Sequence, residues 1–438
     1  MKITYSVLLL AFLALKLCLP AVAQSYVGNT VDNYGGLHSM LENPANAADS
    51  RMRLDINLIS TSVFVGNDFI SVDLSDLKSF KNGFDFDSDA LTNPLDNNKF
   101  YGNIDILGPS ILFNLNQKSS LAITTRIRGF FNIYNLGGEL YQVLKGDLEG
   151  NTFNLNMDNF SGVIHAWAEI GVTYGRIIVE NNNHLLKAGA TLKYLGGAGG
   201  LFGFSPQLEA SFNSNIYSLT TSGNLNYGYT SGFNSDDITF SNITSGVGAD
   251  LGLVYELRDN GNQNRTSYKL RFGASVTDFG DINYDGSSNF RYDMNKTINA
   301  EEFRYKDFEE VLVDNFISSE SVGKSKLGLP TAIRLFVDYP ITNKLFVSAQ
   351  GAISVKEGNE LPVSNIINTF TLTPRFETKW ISVYSPLSVR KYDSSIAWGF
   401  GVRAGPVMIG SGTIFTNLIS NSSKSADIYV GIKLPIYK

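Results

Sequence analysis

Cysteine is nearly absent from this 438-residue sequence, and the one present, Cys18, lies in an apolar stretch near the start. Lys2 precedes the apolar run Val7 to Leu15, and Ala21-Val22-Ala23 stands just before Gln24. That order of charge, apolar run and small residues predicts a secretory signal peptide over 1–23. The run is broken by Lys16 and falls short of the roughly 20 apolar residues of a membrane helix. A mature chain starting at Gln24 has no thiol, which excludes disulfides and thiolate chemistry.

Histidine is also scarce. His38, His165 and His184 are the full set, and none stands at a metal-ligand spacing from another. No later segment reaches the roughly 20 apolar residues that would cross a bilayer as a helix. There is no basic excess: 35 Lys and Arg face 41 Asp and Glu, and loss of the leader removes Lys2 and Lys16 as well. Nucleic-acid binding is therefore not expected. No G-x-S-x-G elbow and no phosphate-cradling loop is present. The sequence predicts neither an enzyme nor a cofactor.

What is present is alternation. In Leu345 to Val355 the odd positions are apolar or small, and the even ones are mostly polar or small. Leu54, Ile56 and Leu58 alternate with Asp55 and Asn57. Leu186, Ala188, Ala190 and Leu192 alternate with Lys187 and Thr191. Ile428, Val430, Ile432, Leu434 and Ile436 repeat the pattern at the end. Recurring behind an export signal, with aromatics at segment ends, it predicts an all-β fold: a transmembrane antiparallel β-barrel of about 14 strands, within roughly 12–16. The apolar faces meet lipid, and Tyr174, Tyr194, Tyr255, Tyr268 and Trp398 are expected in an interfacial girdle.

Residues 24–52 precede the first clean strand and contain Gly35-Gly36 and Asn43-Pro44-Ala45. They are read as a hatch or plug segment, with the barrel over 53–438; a flexible tail is the alternative. Short connections at Asn116–Ser119, Glu180–Asn183, Arg258–Thr266 and Pro340–Asn343 alternate with long ones at Gly66–Asn103, Asn135–Ser161 and Phe279–Pro330. Short turns on one side and long loops on the other fit an outer-membrane barrel. Within the last long loop, Asn299-x-x-Glu302 is a capping signal, and Tyr305, Phe308, Leu312 and Phe316 follow at helical spacing. That helix either enters the pore or packs on neighbouring loops.

The polar faces supply the candidate lumen residues: Arg126, Arg128, His165, Glu169, Lys187, Lys193, Asp250, Glu256, Lys269, Arg271, Arg334 and Arg403, joined by Glu209, Asp338 and Glu377. Mixed charge suits either a wet channel or an interior filled with ion pairs.

Glu42-Asn43-Pro44-Ala45-Asn46 resembles the Asn-Pro-Ala segment of the long-chain fatty acid outer-membrane transporter superfamily, which includes barrels associated with type IX secretion. Thr277-Asp278-Phe279-Gly280-Asp281-Ile282, Arg403 to Ser411 and Asp427 to Pro435 are similar to a narrower family of outer-membrane barrels known as a domain of unknown function. The resemblance implies a barrel of about 14 strands with an N-terminal hatch built around Asn43, Pro44 and Ala45. It also implies, by analogy, passive movement of small hydrophobic or amphipathic solutes. The alternative is a docking barrel that anchors a surface protein or secretion component. Outer-membrane lipid is a partner in both.

Overall fold

The computed structural model describes residues 25–73, 90–149, 152–231, 233, 243–258, 267–356 and 362–438. The expected signal peptide lies outside them, as do parts of the Gly66–Asn103 and Arg258–Thr266 connections. Among the described residues the chain forms one closed antiparallel barrel of 14 strands. These are β1 (Met52–Asn67), β2 (Asn98–Leu107 with Ser110–Asn114), β3 (Ser119–Leu136), β4 (Phe153–Glu180) and β5 (His184–Asn213). Next come β6 (Ser218–Tyr229 with Thr244–Leu257), β7 (Leu270–Asp293), β8 (Ile317–Gly328 with Ala332–Pro340), β9 (Leu345–Ser354) and β10 (Thr369–Glu377). The last are β11 (Ile381–Tyr384 with Leu387–Arg390), β12 (Asp393–Trp398 with Phe400–Ala404), β13 (Val407–Ser411) and β14 (Ser425–Tyr437).

The barrel closes where β14 pairs with β1, from Met52 opposite Tyr437 to Gly66 opposite Ser425. A bulge between Asn57 and Ile59 shifts the register there. It turns Leu58 and Ile59 outward together, while Asp55, Asn57, Ser60 and Ser62 stay buried. In β9, Phe346, Ser348, Gln350 and Ala352 are buried, whereas Leu345 is exposed on the opposite face. Ile127, Leu192, Leu251, Leu335 and Val430 are likewise exposed on the outer wall. An apolar outer face and a polar inner one is the arrangement that lipid enforces, since every ladder hydrogen bond is made inside the wall. No helix among the described residues is long and apolar enough to cross a membrane.

The wall is uneven in height. A spanning strand needs about 9–11 residues. β4 has 28 and β5 has 30, so their upper halves stand clear of the bilayer. β13 has only 5. The stretch Phe279–Pro330, expected as a loop, is largely strand, since β7 runs to Asp293 and β8 resumes at Ile317; Asn135–Ser161 is strand in part, with β4 starting at Phe153.

Candidate functional site

The N-terminal segment fills the lumen nearer the short-turn end. It carries a 3-10 turn at Asn29–Val31, the helix α1 (Leu37–Glu42) and a second 3-10 turn at Pro44–Ala47. The second turn rests on a shelf of glycines on three adjacent strands. Gly175 pairs with Gly189, and Gly189 pairs with Gly252. A Cβ on Gly189 would lie 2.3 Å from the Pro44 carbonyl carbon, and one on Gly252 would lie 2.1 Å from Asn43 Oδ1. Only glycine leaves room for this close backbone approach. Asn43 caps the turn by accepting from the Ala45 amide at 3.0 Å, and its own amide donates to the carbonyls of Leu253 and Ala274 at 3.1 Å each. The Asn-Pro-Ala motif is thus one contact between the N-terminal segment and the wall.

Charge locks the rest. Arg403 Nε donates to Asp32 Oδ2 at 2.8 Å, and Tyr384 donates to the same oxygen at 2.7 Å. Burial alone would raise the Asp32 carboxyl, but the Arg403 charge and hydrogen bond outweigh it and hold the group well below its ordinary range. Lys433 Nζ reaches the carbonyls of Tyr34 and Gly35 at 2.9 Å. Arg334 pairs with Glu42, and Arg258 with Asp49 at 3.1 Å. His38 packs edge-on against Tyr26 at 4.8 Å, and neither ring nitrogen has a hydrogen-bond partner among the described residues. Burial, reinforced by the Lys433 charge, lowers its pKa from 6.5 to about 3, so the ring is neutral.

Above the hatch lies a buried ion-pair lattice. Arg126 holds Asp105 through Nε at 2.6 Å and reaches Glu169 at 3.4 Å. Lys193 sits 2.7 Å from Asp278 and 2.8 Å from Asp250. Arg128 joins Asp278 at 2.6 Å and lies over the Phe130 and Trp167 rings. A second lattice centres on Asp338, which takes both Nη atoms of Arg375 at 2.7 and 2.8 Å and Arg271 at 3.1 Å. Arg375 also reaches Glu377 at 2.9 Å, and Lys187 pairs with Glu256 at 2.7 Å.

Three expectations are corrected by these positions. Lys269 precedes β7 and is exposed rather than lumenal. Glu209 is exposed near the far end of β5, where it accepts from Ser222. Tyr268, expected in the girdle, is buried and donates to Asp338. Reading the sequence missed Asp32, Asp105, Asp278, Arg375 and Lys433. A signal existed for Arg375, which continues the polar alternation Thr369, Thr371, Thr373. None existed for Asp278: a bulge between Ala249 and Leu251, with Asp278 at φ 58°, turns Thr277 and Asp278 inward in succession.

From the opposite side, the connection between β9 and β10 folds into the barrel at 362–368. The Asn365 amide donates to Asn132 Oδ1 at 2.9 Å, and Asn132 Nδ2 returns a bond to the Asn365 carbonyl at 3.0 Å. Gly328 N donates to Pro362 O at 2.9 Å. His165 belongs to this closure: its Nδ1 lies 3.3 Å from Ser364 Oγ and its Nε2 3.1 Å from the Tyr284 hydroxyl. The hatch and the barrel wall leave one small polar chamber of about 50 Å³, and the hatch, wall and inward loop leave another of about 20 Å³. Among the described residues no group of three or more His, Cys, Asp or Glu side chains could hold a metal ion.

The apolar cavity lies elsewhere, at the long-loop end. Two helices cover it, α2 (Gly138–Leu144) and α3 (Phe308–Asn315), together with a 3-10 turn at Ala300–Arg304. The capping signal expected at Asn299 caps that 3-10 turn, whereas Asp307 and Glu310 form the capping box of α3. α3 does not enter the pore: Val311 and Leu312 join Leu140, Met157, Leu208 and Phe212 in the loop-end core. The cavity encloses about 60 Å³. Thr221 is its one lining residue that is not apolar, and its hydroxyl is spent on the Met294 carbonyl at 2.6 Å.

The match to the family described as "Family of unknown function (DUF5723)" spans 44–412, from the Asn-Pro-Ala turn to the end of β13. The chain belongs to the DUF5723 family. Among curated proteins none matches it. Of solved structures, it is similar to a FadL homologue of Pseudomonas aeruginosa, at 8% identity over 95% of this chain and 99% of that one, with a TM-score of 0.42. It is also similar to the toluene transporter TodX of Pseudomonas putida, at 11% identity over 95% and 96% with a TM-score of 0.43. A third is the toluene transporter TbuX of Ralstonia pickettii, at 10% identity over 92% and 95% with a TM-score of 0.41.

Proposed function

We propose that this member of DUF5723 is an outer-membrane barrel that takes up small hydrophobic or amphipathic solutes passively. The supporting observation is the loop-end cavity, whose apolar lining comes from β3 to β6, the stretch 294–303 that follows β7, and both covering helices. In this orientation the short turns face the periplasm and the tall side faces outward. A solute settles among Leu140, Leu312 and Phe316, then moves inward past the 362–368 loop and the hatch. The lattices around Asp278 and Asp338 keep the resting lumen shut to ions, because displacing any one charge strands its partner. No chemical step is assigned to any residue.

The test is binding of an apolar naphthylamine dye to the purified barrel. Leu312→Asp puts a carboxylate into the cavity and is expected to weaken binding about tenfold or more, which is roughly 1.4 kcal/mol. Dye bound equally by wild type and variant contradicts capture at this cavity. The doubly closed lumen favours a second reading, a docking barrel for a surface or secretion protein. Recovery of one stable partner with the barrel from intact membranes, together with absence of solute uptake, would select it.

A further inference from the structure

The uneven wall leaves one strand half-paired. The upper segment of β8 is bonded to β7 from Asp293 opposite Ile317 to Asp281 opposite Gly328. On its other side β9 begins its ladder only at Ser354 opposite Ala332. Above that, among the described residues, a single bridge joins Gly328 to Val363. Among the described residues, Ile317 to Leu327 is therefore a sheet edge with no second partner strand, above the cut-away side of the barrel. Ile317 is 82% exposed and Val322 69% exposed. Such an edge is a template for another strand unless proline, a bulge or a cover blunts it, and this segment contains no proline.

Its charges are ordered. Glu320, Val322, Lys324 and Lys326 share one face by the period of two. Lys324 and Lys326 pair with Asp285 and Asp281 at 3.0 and 2.8 Å, yet their side chains remain 80% and 56% exposed. These lysines discourage an uncharged strand and favour one that brings carboxylates.

We infer that the Ile317–Leu327 edge receives an extended segment of another polypeptide, added antiparallel as one more strand. Its alternate residues would read acid, acid, apolar, base opposite Lys326, Lys324, Val322 and Glu320. A second copy of this chain does not fit. Antiparallel pairing of two strands that rise from one membrane would invert one barrel. Parallel pairing in register would set Glu320, Lys324 and Lys326 against their own copies, and like charges directly opposite are destabilising. The inference does not depend on solute capture and stands if that reading fails.

The experiment measures fluorescence anisotropy of two labelled peptides with the full-length barrel in detergent. One peptide carries the acid, acid, apolar, base order on alternate residues, and the other carries the reverse signs. The first is expected to bind about tenfold more tightly than the second. In Lys324→Glu/Lys326→Glu/Glu320→Lys the preference should reverse, a gain of binding that a misfolded variant cannot show. Leu312→Asp should leave peptide binding unchanged. No binding of the first peptide, equal binding of both, or a preference that survives the charge reversal would overturn the inference.

Discussion

Arg403 and Asp32 show how single residues hold the hatch. Both side chains are fully buried, and each is the other's main charge partner. Arg403→Ala leaves Asp32 buried and unpaired, with an expected cost of roughly 3–5 kcal/mol. Denaturant unfolding in detergent should show that loss, and Asp32→Asn in the same background should recover part of it. Acid acts on the same segment. Asp32 is held below its ordinary 3.8, so its contribution is complete above that pH and is lost as pH falls through the lowered folded value. His38 titrates at about 3 in the folded chain against 6.5 unfolded, so docking weakens as pH falls from 6.5 toward 3. Protease cleavage within the hatch should accelerate below pH 6.5, and His38→Phe should flatten that dependence. An unchanged pH profile in His38→Phe would remove His38 from the account. Neither group could be paired from sequence alone, because Asp32 and Arg403 are far apart in the chain and precede or follow almost every strand.

At the scale of elements, the glycine shelf makes the Asn-Pro-Ala turn fit. Gly189→Val should force the turn off β5 and expose the hatch to protease, whereas Gly351→Ala, with nothing within 4 Å of the added Cβ, should have no such effect. Equal protection in both variants would mean that the turn does not need the shelf. The inward loop makes a separate prediction. The expected mature chain lacks cysteine, so Asn132→Cys/Asn365→Cys is a clean pair, and its oxidation should block solute uptake that reduction restores. Strands within the bilayer were legible because lipid demands an apolar residue at every second position, as in β9. The upper parts of β7 and β8 were not: a bulge between Tyr284 and Ser287 breaks the period in β7, and β8 is exposed on both faces over Ile317–Val322, so the alternation fades. Helical spacing at Phe308, Leu312 and Phe316 did reveal α3, although its box is Asp307 with Glu310 rather than Asn299 with Glu302.

Across the whole molecule, a tall side formed by β4 to β8 faces a low side formed by β9 to β13. Among the described residues, the N-terminal segment occupies the lumen from one end and the 362–368 loop enters it from the other. The closed barrel could be read from periodicity, whereas the apolar cavity could not: Leu136, Met157, Leu208, Leu219, Met294 and Leu312 come from six separate segments, each ordinary by itself. Only the strand register brings them together. Resting closure to ions and capture of an apolar solute form one claim, and paired recordings on the same reconstituted full-length protein test it most directly. Liposomes should take up an apolar dye faster than protein-free vesicles while planar bilayers show no steady ionic conductance. Steady conductance without dye uptake would contradict both halves of that claim.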